Sequence, residues 1–257
     1  MKNKKFIKRS SALIAYIFMI TLNILANALP INGINTGDVS DQYSNLFAPA
    51  GLTFSIWGLI YLLLGAYTVM QFFDLKYKTI DHNIYDKLSF YFAASSIING
   101  LWILSWHYLY FDISLILMAF LLSSLIKINL IIKNHTKVSG LTKTAFRVYF
   151  GWITIATIAN ITVFLVSVGL KAFSITGIIY TIFALLLGLS IGTYISYRLK
   201  SFPYYMVILW AYIGILIKHL STDGFNMNYP YIISTVAFSL VFILINIGYM
   251  IFKKIKA

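Results

Sequence analysis

The sequence predicts an all-α, polytopic transmembrane helical bundle of about eight spans, and three observations carry that prediction. Hydrophobic residues make up 60% of the 257 and charged residues only 11%, with a mean hydropathy of +0.84, so polar surface is too scarce for a soluble domain. Apolar runs of about 20 residues recur along the whole chain, each long enough to cross a hydrocarbon core of roughly 30 Å. The alternating pattern of a membrane barrel is absent.

Taken in order, the spans are expected at 11–29, 52–73, 88–106, 113–132, 148–169, 174–195, 203–218 and 231–252. The Lys-rich start resembles a signal peptide. However, the apolar run after it is about nineteen residues and spans a membrane, so it reads as an uncleaved first helix. The second span begins where the Pro49–Gly51 loop gives way to apolar residues, and the fourth carries Lys127, which is expected to snorkel to the headgroups. The sixth holds Ala184, Gly188 and Gly192 at spacing four, a small-residue ridge that lets helices approach closely. It is expected to pack within one chain, with a homodimer as the alternative. Of the loops, 30–51 (Pro30, Gly33, Gly37, Pro49) is the longest on the outer side and the natural lid for anything bound beneath it, and 219–230 could cover the last two helices. The 74–87 and 133–147 loops are basic.

Placement explains the net charge of +13. Eighteen of the 20 Lys and Arg fall on one side of the eight spans, leaving Lys171 and Lys218 on the other. The positive-inside rule therefore places both termini in the cytoplasm of a multi-pass cell-membrane protein, with membrane lipids and no nucleic acid as partners. Every acidic residue is Asp, and none lies near a helix centre, so the buried carboxylate of a proton-coupled transporter is missing. Cysteine is absent, which excludes disulfides and thiolate chemistry. Abundant Lys, Asn, Ile and Tyr suggest an AT-rich bacterial source.

Three spans offer an aromatic face. Phe54, Trp57 and Tyr61 follow i, i+3, i+7 spacing at the start of the second. Asn99, Trp102 and Trp106 do so in the third, and Trp152, Ala156 and Asn160 lie at spacing four in the fifth. One reading is a ligand pocket; the other is an interfacial belt with Asn residues cross-linking helices. The four His (His82, His107, His135, His219) have no helical ligand spacing, so no metal or fixed cofactor is expected, and His107 reads as a solvated loop residue.

These residues resemble the TspO/MBR family, the tryptophan-rich sensory or translocator proteins related to the peripheral benzodiazepine receptor. Pro49, Phe54, Trp57 and Tyr61 are similar to the start of that family's second helix. Asn99 and Trp102 match its Asn-x-x-Trp, and Trp152, Ala156 and Asn160 match its Trp-x-x-x-Ala-x-x-x-Asn. The resemblance covers about residues 11–170, which implies a five-helix core over 1–170 and three additional helices over 171–257. Two features depart: Leu52 stands where the family has Trp, and Phe47-Ala-Pro49 replaces a Trp-x-Pro-Pro. The resemblance implies a flat hydrophobic ligand, such as a porphyrin (haem included) or a sterol-like lipid, held under the outer loop in a sensory role.

From the residues alone, an enzyme ranks last. There is no metal motif, no Gly-x-Ser-x-Gly and no intramembrane carboxylate pair. A carrier of hydrophobic or amphipathic molecules is the alternative to a binding protein. In the binding reading the ligand is expected to lie between Trp57, Trp102 and Trp152, with Asn99 and Asn160 as polar contacts and Trp210 outside the site.

Overall fold

Lipid offers backbone N–H and C=O groups no partner, so a spanning segment must satisfy them within a helix. The computed structural model describes residues 2–29, 31–73, 82–135 and 137–255, and among these residues it is built from helices without strands. They are α1 (Lys2–Ala28), α2 (Thr36–Gln42), α3 (Ile56–Phe73), α4 (His82–His107), α5 (Phe111–Lys133), α6 (Gly140–Ser167), α7 (Ile175–Leu199), α8 (Phe202–Leu220) and α9 (Pro230–Ile255). Short 3-10 turns occupy Ile31–Gly33 and Gly51–Ser55. Among the described residues, eight helices are long and apolar enough to cross a membrane, one at each expected position. Pro30, Asp74, Asp81, Thr136 and most of the basic 74–87 loop lie outside the described residues.

Two differences from the expected boundaries matter. α6 begins at Gly140 rather than 148 because Ser139 caps it, its side chain accepting from the Thr142 N–H at 3.1 Å. The outer 30–51 loop contains a helix, α2, whose start is a reciprocal cap between Asn35 and Asp38.

α4 packs between α1 and α5, and α5 on α6. α6 sits at the centre, touching α3, α5, α7 and α8, and α9 closes on α7 and α8. Small residues set the close approaches. A Cβ on Gly151 would stand 2.9 Å from the Tyr204 carbonyl, so α6 and α8 meet backbone to backbone there. The Ala184/Gly188/Gly192 ridge is buried and faces neighbouring helices of the same chain, since a Cβ at Gly188 meets Tyr212 and Ile158 and one at Gly192 meets Ile208.

Polar side chains inside the bundle cross-link it. Asn23 Nδ2 donates to Asn99 Oδ1 at 2.8 Å, Asn99 Nδ2 to the Tyr149 hydroxyl at 3.1 Å, and the Tyr61 hydroxyl to Asn23 Oδ1 at 2.7 Å. One network thus ties α1, α3, α4 and α6. Arg9, counted by sequence among the charges before the first span, is instead fully buried and donates to the Gln71 carbonyl of α3.

The ridge yields a prediction. Gly188→Leu must displace Tyr212 or Ile158 and should cost about 1–3 kcal/mol through overpacking. Gly248→Leu, at a position with nothing within 4 Å, should not. Thermal unfolding of both variants in detergent checks this, and equal melting points would place the ridge against lipid.

Candidate functional site

Pro49 ends the outer loop, the Gly51–Ser55 turn carries Phe54, and the first turns of α3 place Trp57 and Tyr61. α4 and α6 bring the other aromatic residues to the same end of the bundle. Eight of the ten expected site residues, Pro49, Phe54, Trp57, Trp102, Trp106, Trp152, Ala156 and Asn160, line one cavity. Its roof and far wall add residues that helical spacing did not reveal, Thr36, Ser40 and Asn45 of the lid and Ile155, Ala159 and Val163 of α6.

The other two residues are elsewhere. Asn99 lies a turn deeper, and both ends of its amide are engaged by Asn23 and Tyr149. Tyr61 lines an adjoining groove of about 500 Å³, beside Asn23 and Asn27 of α1. That groove shares Thr36, Phe54 and Trp57 with the cavity. Asn160 stays in the cavity wall while its Nδ2 donates to the Ser114 hydroxyl of α5 at 3.0 Å.

The rings already stack on one another. Tyr61, Trp57, Trp102 and Trp106 form a row with centroid spacings of 5.4, 6.0 and 5.9 Å and interplanar angles of 20°, 31° and 30°. Trp152 closes the row edge-on against Trp57, at 6.1 Å and 84°. A planar ligand between two rings needs about 7 Å, twice a van der Waals contact. The space between Trp57 and Trp102, 6.0 Å from centroid to centroid, therefore has no room for one in this conformation. The free volume of the cavity is about 50 Å³, against roughly 300–1,000 Å³ for a typical ligand pocket.

Two donors stand out among the rings that line it. Among the described residues, the buried indole N–H groups of Trp102 and Trp152 have no hydrogen-bond partner. The Trp106 N–H, by contrast, donates to the Thr36 carbonyl of the lid at 3.2 Å.

The lid is fastened from two helices. On the α4 side, His107 is fully buried rather than solvated: its Nδ1 faces the Ile31 carbonyl at 3.2 Å and its Nε2 the Thr36 hydroxyl at 3.0 Å. A carbonyl only accepts, so Nδ1 carries the proton on that side, and the Thr36 hydroxyl can serve Nε2 as donor or acceptor. On the α8 side, the Ala50 N–H donates to the Gly214 carbonyl at 2.9 Å, Trp210 Nε1 to the Thr53 carbonyl at 3.0 Å, and His219 Nε2 to the Leu46 carbonyl at 2.9 Å. Trp210 does not line the cavity, but it holds the residue beside Phe54. Lys218 and Asp41 add an ion pair at 3.1 Å, a minor contribution because Asp41 is exposed. Gly214 is required, since a Cβ there would overlap the Thr53 side chain. Sequence reasoning missed these α8 residues because they stand more than 150 positions from their partners, beyond any local spacing signal. Among the described residues no group of three or more His, Asp or Glu could hold a metal ion.

A family model described as TSPO-like protein matches residues 9–249, a span that includes the last three membrane helices as well as the first five, three of which carry the motifs. Neither a curated protein nor a solved structure matches the chain.

The fastening by α8 predicts that Gly214→Val lifts the lid. Ser40 is buried in the cavity wall, and the chain has no other thiol to confuse a Ser40→Cys probe. Labelling of that cysteine by a maleimide should accelerate roughly tenfold or more in the Gly214→Val background, the ratio that 1.4 kcal/mol of lost lid stability implies. An unchanged rate would show that α8 does not hold the lid.

Proposed function

The chain belongs to the TSPO-like protein family, and from that premise we propose that this multi-pass membrane protein binds a flat hydrophobic ligand beneath its outer loop. A porphyrin or a sterol-like lipid fits the description, and the role is sensory or regulatory rather than enzymatic. One observation supports this reading above the others: the buried indole N–H groups of Trp102 and Trp152, two of the rings that line the cavity, stand unpartnered. Leaving such donors unmet costs about 1–3 kcal/mol each. A ligand that is apolar over most of its area and carries hydrogen-bond acceptors would recover that cost. Pockets of this kind orient their ligands with a few placed polar groups.

A ligand of this size needs more than the present free volume. The adjoining groove supplies it, because Phe54 and Trp57 stand in the walls of both spaces. Rotation of Trp57 would join the two and open the cavity between α1 and α3. The carrier reading needs a continuous path to the other end of the bundle, and there Tyr67, Phe92 and Phe146 interlock with ring centroids 4.8 to 5.7 Å apart. Binding is therefore the better-supported function.

The ligand test is a titration of purified protein with protoporphyrin and with a sterol, followed by tryptophan quenching corrected for inner-filter absorption. Trp102→Phe and Trp152→Phe each remove one N–H and should weaken binding by roughly tenfold. Phe183→Leu, at an exposed position on α7, should leave it unchanged. Equal affinities in all three variants would remove this site from consideration.

The orientation proposed from the charge asymmetry, both termini cytoplasmic, has its own check. Thr222 and Lys137 are exposed at opposite ends of the bundle. In intact cells an impermeant thiol reagent should label Thr222→Cys and spare Lys137→Cys; the reverse pattern would invert the topology.

A further inference from the structure

At the end of the bundle opposite the lid, a cleft of about 820 Å³ opens between the α5–α6 turn and the last turns of α7. Five cations line it: Lys133, Lys143, Arg147, Arg198 and Lys200. Among the described residues no carboxylate does. The positive-inside rule accounts for the sign of these residues but not for their convergence, because topogenic charge serves equally well anywhere in a loop. Here the convergence comes from helix extent. α6 starts early enough to put Lys143 and Arg147 on helix at spacing i, i+4, on one face, and α7 runs to Leu199, which brings Arg198 alongside.

Arg147 is held in place. Its Nη2 donates to the Leu199 carbonyl, the end of α7, at 3.2 Å. That uses one of five guanidinium donors. The rigid fork that remains suits the bidentate oxygens of a phosphate. The cleft lies where the spans end, at headgroup level, and its flank is Tyr194 and Tyr197, of which Tyr194 is 67% exposed on the outer surface of α7. Basic pockets between membrane helices at this depth recognise anionic headgroups.

We infer that this cleft is a binding site for a phosphate-bearing anion, the headgroup of an anionic phospholipid being the source its position favours. It is separate from the aromatic cavity and does not depend on what that cavity binds.

The test uses the full-length protein in non-ionic detergent, its melting followed by tryptophan fluorescence. It is titrated with phosphatidylglycerol, with phosphatidylcholine of the same acyl chains, and with inorganic pyrophosphate. Saturable stabilisation by phosphatidylglycerol but not phosphatidylcholine is expected. Lys143→Gln/Arg198→Gln, which breaks no hydrogen bond seen in the structure, should raise the half-saturating concentration roughly tenfold or more. Arg147→Gln should do the same if it folds. Lys87→Gln/Lys127→Gln removes two charges outside the cleft and should leave the response intact. Stabilisation by pyrophosphate in place of the lipid, lost in the same cleft variants, would keep the phosphate site and make a soluble phosphate its source. An equal loss in the cleft and control pairs would reduce the effect to net charge and overturn the site. So would the absence of a response to all three probes.

Discussion

A loop folded across the end of a membrane bundle carries carbonyls that lie wholly or partly out of water, and the rest of this structure depends on how they are met. Four of them accept from aromatic ring N–H groups: Ile31 from His107, Thr36 from Trp106, Leu46 from His219 and Thr53 from Trp210. A buried carbonyl without a partner costs about 1–3 kcal/mol, so this set of four outweighs the exposed Lys218–Asp41 ion pair. The donors are rigid rings on α4 and α8, helices from different parts of the chain, and together they fix the height of the lid over the bundle. That height sets the volume beneath it.

The same accounting separates otherwise similar indoles. Trp106 and Trp210 spend their N–H groups on the lid, whereas Trp102 and Trp152 keep theirs unmet in the cavity wall. The row from Tyr61 to Trp106 is already stacked, and each such contact contributes about 0.5–1.5 kcal/mol. A ligand that stacks on one of these rings must replace a contact before it adds one, so stacking alone yields little net affinity. The unmet N–H groups carry no such exchange cost. Polar recognition, rather than aromatic area, would then set which flat molecule binds.

Much of this was legible in the sequence, for a physical reason. Membrane helices declare themselves by length and hydropathy, and helical spacing groups Trp57, Trp102, Trp106, Trp152 and Asn160, which the structure brings to one cavity. Spacing gives the face of a helix but not the depth or the neighbour. Asn99 shares a face with Trp102 yet sits one turn lower, where Asn23 and Tyr149 take its amide. His107 ends a helix and so read as solvated, although Ile31 and Thr36, more than 70 positions away, enclose it. Arg9 read as one more topogenic cation and is a fully buried cross-link. The α2 helix had a local signal, Asn35 followed three residues later by Asp38, masked by the flanking Gly33 and Gly37.

The last three membrane helices are where the motif and the physics diverge most. The aromatic motifs end at Asn160, and on that ground alone residues beyond 170 look like an addition to a finished core. The lid shows what they contribute. Without α8, the carbonyls of Leu46 and Thr53 and the N–H of Ala50 would lose their partners, and Thr53 would lose the glycine surface it rests on. α8 cannot stand alone in that role, since it is held by α6 through the Gly151 contact and by the ridge of α7, with α9 packed behind both. The family match over residues 9–249 likewise runs without a break through the helices that bear the cavity and the helices that close its lid.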